Sequence, residues 1–133
     1  MKFFYRLIIF SGLFLTLSFG VQIPDGRVRQ FNSGAAYSKE EICAIKKLTV
    51  LYIGNDNQFD GDEYRVIRYH LIMAPKNGQA EYFEVEADSM SEMVKAKIIS
   101  NLISGDKLLF DDIDYITNQG VKKQCSPLVI YIK

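Results

Sequence analysis

Residues 104–115 read SGDKLLFDDIDY, and this stretch decides how the sheet of the protein is built. It contains two apolar pairs, Leu108 with Phe110 and Ile113 with Tyr115, whose positions differ in parity. A regular strand turns alternate side chains to opposite faces, so it cannot bury both pairs on one face. A β-bulge at the adjacent aspartates between the pairs would restore a common inward face. The pattern therefore predicts a bulged strand.

Three aspartates in this stretch, Asp111, Asp112 and Asp114, allow different interpretations. In a scaffold, one of them occupies the bulge and the others point to solvent. In acid–base chemistry they would share an environment that separates their pKa values, and in a metal site they would converge on the ion. Because nothing nearby indicates a pocket, we expect a scaffold with no catalytic, metal or cofactor site. A small metal-assisted hydrolase that uses the three carboxylates is the alternative.

The first 20 residues have the layout of a secretory signal peptide. Lys2 and Arg6 form a basic start, residues 7–17 form a short apolar core, and small residues precede a cleavage point before Val21. The apolar run is shorter than the roughly 20 residues of a membrane-spanning helix, although an uncleaved anchor remains the alternative. We expect a periplasmic or secreted protein that is not attached to the membrane after cleavage.

The mature chain would have 113 residues, enough for one domain. We expect a linker over residues 21–33 and the domain over residues 34–133. Without Lys2 and Arg6 the chain has 14 basic and 16 acidic residues, a net charge of −2. That near balance gives no electrostatic reason to expect nucleic acid or an anionic membrane as a partner.

The chain has two cysteines, Cys43 and Cys125. Export to an oxidising compartment would allow them to pair. A bridge across so long a loop would stabilise a domain with a modest core. We therefore expect a Cys43–Cys125 disulfide, with two buried thiols that never meet as the alternative.

Two capping-box patterns predict the helices. Ser38 with Glu41 begins a short helix over residues 39–46, and Ser89 with Glu92 begins an amphipathic helix that ends near Ser104. In the second helix apolar residues recur every four positions, which predicts a core-facing stripe. The stripe is Met90, Val94, Ile98 and Leu102, with Met93 beside it.

Five segments are predicted to be strands, at residues 48–53, 64–73, 83–87, 108–115 and 128–133. In the second segment the alternation places Ile67 inward with Tyr69, Leu71 and Met73, and Tyr64, Arg68 and His70 outward. His70 is then a solvated or rim histidine. Glu84 and Glu86 share one face, which we interpret as a solvated face rather than an acid–base pair.

The acidic stretch NDNQFDGDEY, residues 55–64, partly imitates a calcium loop through Asp56, Gln58, Asp60 and Gly61. That motif needs a bidentate glutamate at its twelfth position, where this chain has Ile67. The stretch is therefore predicted to be a hairpin turn. Five strands, two helices and short turns favour a mainly β fold, a small antiparallel β-sandwich with the longer helix packed on it. An open-faced α+β sheet is the alternative.

Several short motifs occur in an order that resembles the C-terminal domain of the gliding-motility protein GldM of Bacteroidetes. They are YSKEEI at 37–42, GDKLLFDDIDY at 105–115, NQGVKK at 118–123 and PLVIYIK at 127–133. The resemblance covers roughly residues 34–133. It implies an Ig-like β-sandwich in the periplasm that makes protein contacts within the type IX secretion and gliding machinery.

Together these observations favour a non-catalytic exported interaction module. Its partner would be an envelope or periplasmic protein, or a second copy in a homodimer. A carbohydrate-binding domain using Tyr52, Tyr64 or Tyr69 is a further alternative, which the absence of tryptophan disfavours.

Overall fold

The structure is a computed structural model that describes residues 26–53 and 59–133. The predicted signal peptide and the acidic turn around Asp56 and Gln58 lie outside the described residues. The described part is mainly β, as predicted. Its strands are β1 (Gly26–Val28), β2 (Ala36–Tyr37), β3 (Thr49–Ile53), β4 (Phe59–Ala74), β5 (Glu81–Val85), β6 (Lys107–Ile116), β7 (Lys122–Gln124) and β8 (Leu128–Ile132), and its helices are α1 (Lys39–Cys43) and α2 (Glu92–Asn101).

The strands form one curled, mixed sheet in the order β1-β3-β4-β6-β8-β2, with β5 attached to β4 and β7 attached to β6. Most neighbours are antiparallel, but β2 runs parallel to β8, so the purely antiparallel expectation is wrong. The backbone amide of Ser126 donates to the carbonyl of Gly26 at 3.2 Å. This bond brings β1 to the connection between β7 and β8. The core of the domain is a single cluster of buried apolar side chains.

Residues 26–33 belong to the domain, which therefore begins before the predicted boundary at residue 34; residues 21–25 of the predicted linker lie outside the described residues. β1 pairs with β3, and Val28 lies opposite Val50. Phe31 is buried, and its ring stacks on that of Phe110 with the centroids 5.7 Å apart. A strand of three residues is too short to show a period in the sequence, which is why the pattern missed it.

The predicted capping box of α1 is confirmed. The Glu41 amide donates to Ser38 Oγ at 3.0 Å, and the Ser38 amide donates to Glu41 Oε1 at 3.2 Å. The hydrogen bond from the Ser38 amide stabilises the ionised carboxylate and, together with the Ser38 side chain, lowers the pKa of Glu41. The helix ends at Cys43, three residues earlier than predicted.

The N-cap of helix α2 lies two residues later than predicted. Its N-cap is Ser91, whose Oγ accepts from the amide of Val94 at 3.2 Å, rather than Ser89. The predicted core stripe is confirmed, because Met90, Val94, Ile98 and Leu102 are all buried. Met93 is exposed. Across the described ranges, neither helix has the length and apolar character needed to cross a membrane.

In the central pair of strands, β4 and β6, the alternation of inward and outward side chains is interrupted in both strands at paired positions. Val66 lies opposite Tyr115, and Leu71 lies opposite Phe110. All four side chains are buried. Five residue steps separate the two pairs on each strand, and an odd separation in regular strands would put the pairs on opposite faces. Both strands must therefore be irregular between the pairs.

The irregularity of β6 confirms the predicted bulge. His70 lies opposite Asp111 and Arg68 lies opposite Asp114, so three steps on β6 correspond to two on β4. Asp112 lies within this interval with a φ of 46°, in the left-handed region. The chain therefore absorbs an extra residue at the aspartates and keeps the inward rows together.

The irregularity of β4 was not predicted. Val66 and Arg68 lie two steps apart, whereas their partners Tyr115 and Asp114 are adjacent on β6. Tyr64 is consequently buried and Ile67 is only partly buried, the reverse of the uninterrupted alternation that we expected. The apolar character of both residues hid this change from the sequence pattern.

A buried carboxylate fixes the turn between α2 and β6. Asp106 is almost fully buried, and it accepts hydrogen bonds from the amides of Lys76 at 3.0 Å and Ile103 at 2.9 Å. The bonds from Ile103 and Lys76 lower the pKa of Asp106. This single side chain therefore connects the end of α2 to the end of β4.

The cysteines do not form the predicted bridge. Both are free thiols, and they contact different parts of the backbone. Cys43 Sγ lies 3.9 Å from the carbonyl of Lys95, whereas Cys125 Sγ donates to the carbonyl of Gly26 at 3.2 Å. The Cys43–Cys125 disulfide expected from the secreted context is therefore corrected to two separate thiols.

Candidate functional site

The three aspartates of the opening stretch do not share one environment. Asp112 Oδ2 lies 3.1 Å from His70 Nδ1. Asp114 Oδ2 lies 3.4 Å from Arg68 Nε and 3.5 Å from Lys122 Nζ. The side chain of Asp114 is only 7% exposed, so the prediction that it points to solvent is wrong. It is tolerated in a buried position because two cations flank it.

His70 is more enclosed than the solvated or rim histidine that we predicted, with a side chain 14% exposed. Its Nδ1 faces Asp112, and its Nε2 lies 3.4 Å from Arg68 Nη2 and 3.7 Å from Glu84 Oε1. The Nε2 atom therefore has both a guanidinium and a carboxylate within 4 Å, and Nδ1 has the carboxylate of Asp112.

Strand β5 completes this arrangement from the side of the sheet. Glu84 Oε1 lies 3.9 Å from Arg68 Nη2 as well as near His70. The ring of Tyr82 lies over that of His70, with the centroids 5.0 Å apart and the planes inclined by 55°. We call the connected charged residues the polar network; they are Glu84 on β5, Arg68 and His70 on β4, Asp112 and Asp114 on β6, and Lys122 on β7.

The polar network has the features of a structural ion-pair array. Asp112 and Asp114 each face a nitrogen donor, and the network contains both charge signs in alternation. Within residues 26–53 and 59–133, no three histidine, cysteine, aspartate or glutamate side chains are grouped so that they could hold a metal ion. The ion pairs of the polar network connect β5, β4, β6 and β7 to one another.

Glu84 and Glu86, predicted to share a solvated face, have different surroundings. Glu84 belongs to the polar network. Glu86 lies beyond the end of β5, where it lines a surface groove with Asp88. Both glutamates are exposed, as expected. The pair does not form a common acid–base site, because only one of its members contacts His70.

The tyrosines considered for sugar binding are unsuited to a stacking platform. Tyr69 is fully buried and Tyr64 is almost fully buried. Tyr52 is partly buried, and Lys123 Nζ lies 5.1 Å from the centroid of its ring. The exposed aromatic side chain of this region is instead Tyr82, at 58% exposure. Sequence reasoning missed Tyr82 because its contact with His70 depends on the pairing register of β4 with β5.

Comparisons with known proteins do not place the chain in a family. No protein-family profile matches it, and no curated protein matches it.

Proposed function

We propose that the chain is an exported, non-catalytic protein-interaction module that contacts its partner through the edge of β5 and the adjoining polar network. The observation that supports this function is the position of Tyr82. It is exposed on a strand whose only pairing in the described residues is with β4. Unpaired strand edges take up further strands, and exposed tyrosine and arginine side chains are enriched at protein interfaces.

The pairing of the acidic side chains also favours an interaction module over a hydrolase. A general base or a metal ligand needs a carboxylate that can reach the reacting group. Asp112 and Asp114 face His70, Arg68 and Lys122 instead. The metal-assisted hydrolase would have to break these contacts before it could bind an ion.

The finer assignment, an Ig-like β-sandwich of the GldM C-terminal type, is part of this proposal. Two features support it. The curl of the sheet encloses the core, as the two layers of a sandwich do. The motif at residues 105–115 supplies both the turn at Asp106 and the bulge at Asp112. On this assignment the partner is a protein of the envelope, in a secretion or gliding assembly.

The proposal is tested by capture of partners from envelope extracts of the native host with the tagged chain. We expect one protein to be retained by the unchanged chain and lost with Tyr82→Ala. Ile99→Ala is the matched control, because Ile99 is 53% exposed and lies on the side of α2 opposite Lys97 and Asn101, which contact Glu81 of β5. Capture that Tyr82→Ala leaves unchanged would contradict the proposed surface. Metal-dependent hydrolysis that is lost when Asp111, Asp112 and Asp114 become asparagine would contradict the non-catalytic function.

A further inference from the structure

The sheet contains an internal gap along one edge of β4. On that edge β3 pairs with β4 up to Arg65, and β5 pairs with it from Tyr69 onward. Within the described ranges, no strand pairs with residues 66–68 on this side. At about 3.3 Å per residue, the gap is roughly 10 Å long, the length of three extended residues.

The chains that leave β3 and β5 meet across the outer end of this gap. The amide of Leu48, just before β3, donates to the carbonyl of Asp88 at 2.7 Å. Asp88 follows β5 by three residues. This bond joins the two chains to each other beside the unpaired residues of β4.

A groove of about 310 Å³ occupies the gap. Its volume is at the low end of the range for ligand pockets. Its lining is Arg65, Val66, Ile67, Glu86, Ala87 and Asp88. Ile67 and Ala87 keep part of their surface accessible, so the groove offers apolar contacts together with charge.

Among the described residues, the charged side chains of the groove have no ion-pair partner. Arg65, Glu86 and Asp88 form no ion pair or side-chain hydrogen bond with any described residue. This contrasts with the polar network, where every charge has a partner. Two carboxylates and one guanidinium leave the groove with a net negative charge, so a cationic ligand complements it.

We propose that this groove binds an extended peptide segment with a basic side chain, which adds to the free edge of β4. The peptide backbone would take the place of the missing strand. Its basic side chain would face Glu86 and Asp88, and its apolar side chains would contact Ile67 and Ala87. The peptide class rests on the proposed interaction function, but the site is separate from Tyr82.

Fluorescence anisotropy with the labelled peptide acetyl-Val-Lys-Val-amide, whose three residues match the length of the gap, tests this site on the purified full chain. We expect saturable binding, with little binding of the matched peptide in which glutamate replaces lysine. The double variant Glu86→Gln with Asp88→Asn should weaken binding by about tenfold. Arg65→Gln should tighten it, because a repelling charge is removed. Glu40→Gln, which removes an exposed carboxylate on α1, is the control and should leave binding unchanged.

A second probe separates strand addition from simple charge attraction. The same peptide methylated on its backbone nitrogens keeps its charge but cannot donate hydrogen bonds to β4, so we expect its binding to be lost. Equal binding of both peptides, unchanged affinity in the double variant, or no binding up to about 1 mM would each overturn the proposal. Tyr82→Ala should leave peptide binding intact, so failure of the groove and failure of the β5 surface give different results.

Discussion

Asp112 faces His70 across the β4–β6 pair while its own backbone lies in the left-handed region. The distance from Asp112 Oδ2 to His70 Nδ1 is 3.1 Å, and the φ of Asp112 is 46°. Among non-glycine residues, aspartate and asparagine adopt this backbone most readily. The residue at the bulge thus serves both the strand geometry and the polar network.

Replacing Asp112 should separate these two roles. Asp112→Asn keeps a side chain that tolerates positive φ but removes the charge facing His70, so we expect a small loss of stability. Asp112→Val adds a β-branched side chain at positive φ and should cost about 1–3 kcal/mol more. Urea unfolding measures both. Asp111→Val is the control, because its backbone does not have a positive φ; equal losses at the two positions would contradict a strained bulge.

The buried Asp106 carboxylate should make stability depend on acid pH. Hydrogen bonds from Ile103 and Lys76 lower its pKa in the folded state. The resulting stabilisation is present above the unfolded pKa of about 3.9 and is lost as the pH falls through the lower folded pKa. We expect the stability difference between the unchanged chain and Asp106→Asn to be largest near neutral pH and to shrink in strong acid. Urea unfolding across this pH range measures it.

The Asp106 prediction is checked against a control variant and against one result that would contradict it. Glu40→Gln removes an exposed carboxylate and should give a small difference from the unchanged chain at every pH. A difference for Asp106→Asn that grows toward acid pH would mean that the folded state raises the pKa of this carboxyl.

Gly26 should not tolerate a side chain. A Cβ there would lie 2.5 Å from Val50 Cγ1 and 3.0 Å from Tyr115 Oη, and both neighbours are buried. We expect Gly26→Ala to cost about 1–3 kcal/mol through overpacking. Adding Val50→Ala removes the clashing methyl group, so the double variant should lose less stability than the sum of the single changes. Chemical denaturation of the four proteins measures this coupling.

Gly34→Ala provides the comparison for Gly26. Nothing lies within 4 Å of a Cβ at Gly34, but its φ is 87°. It should cost about 1–2 kcal/mol through the backbone alone, with no coupling to Val50→Ala. Additive losses for Gly26 and Val50 would show that the contact does not limit the packing of β1 on β3.

The two cysteines should titrate as separate, slowly reacting thiols. Burial raises the pKa of Cys125 to about 12 and also raises the pKa of the half-buried Cys43. Thiolate is the reactive form, so we expect slow alkylation of Cys43 and little alkylation of Cys125 in the folded protein. Mass spectrometry after alkylation without reductant should find two modified cysteines once the chain is denatured. Cys125→Ser is the control that assigns the protected thiol, and an unmodified, bridged pair would contradict the structure.

Local patterns predicted the elements that have a strong period or a cap. The stripe of α2, the capping box of α1 and the bulge of β6 follow from residues close together in the chain. The bulge was predictable because Phe110 and Ile113 are both strongly apolar on either side of acidic residues. The corresponding break in β4 was not, because Ile67 is apolar and conceals the change of face.

The contacts that define the site depend on pairing between distant segments. Nothing near His70 in sequence indicates that Asp112 or Glu84 will face it, because their meeting requires the registers of β4 with both β5 and β6. The short strands β1, β2 and β7 gain their order from longer neighbours rather than from their own propensity. The groove likewise arises from where β3 and β5 stop, which no local pattern encodes.

The matched irregularities of β4 and β6 make the centre of the sheet tolerant of changes in chain length. Elsewhere in a strand, losing one residue turns every later side chain over. Between Val66 and Leu71, or between Phe110 and Tyr115, a one-residue deletion would instead restore an even spacing and leave the flanking rows facing inward. Natural variants that are shorter by one residue in either segment should therefore keep the fold. These two segments are the places in β4 and β6 where one-residue deletions should be tolerated.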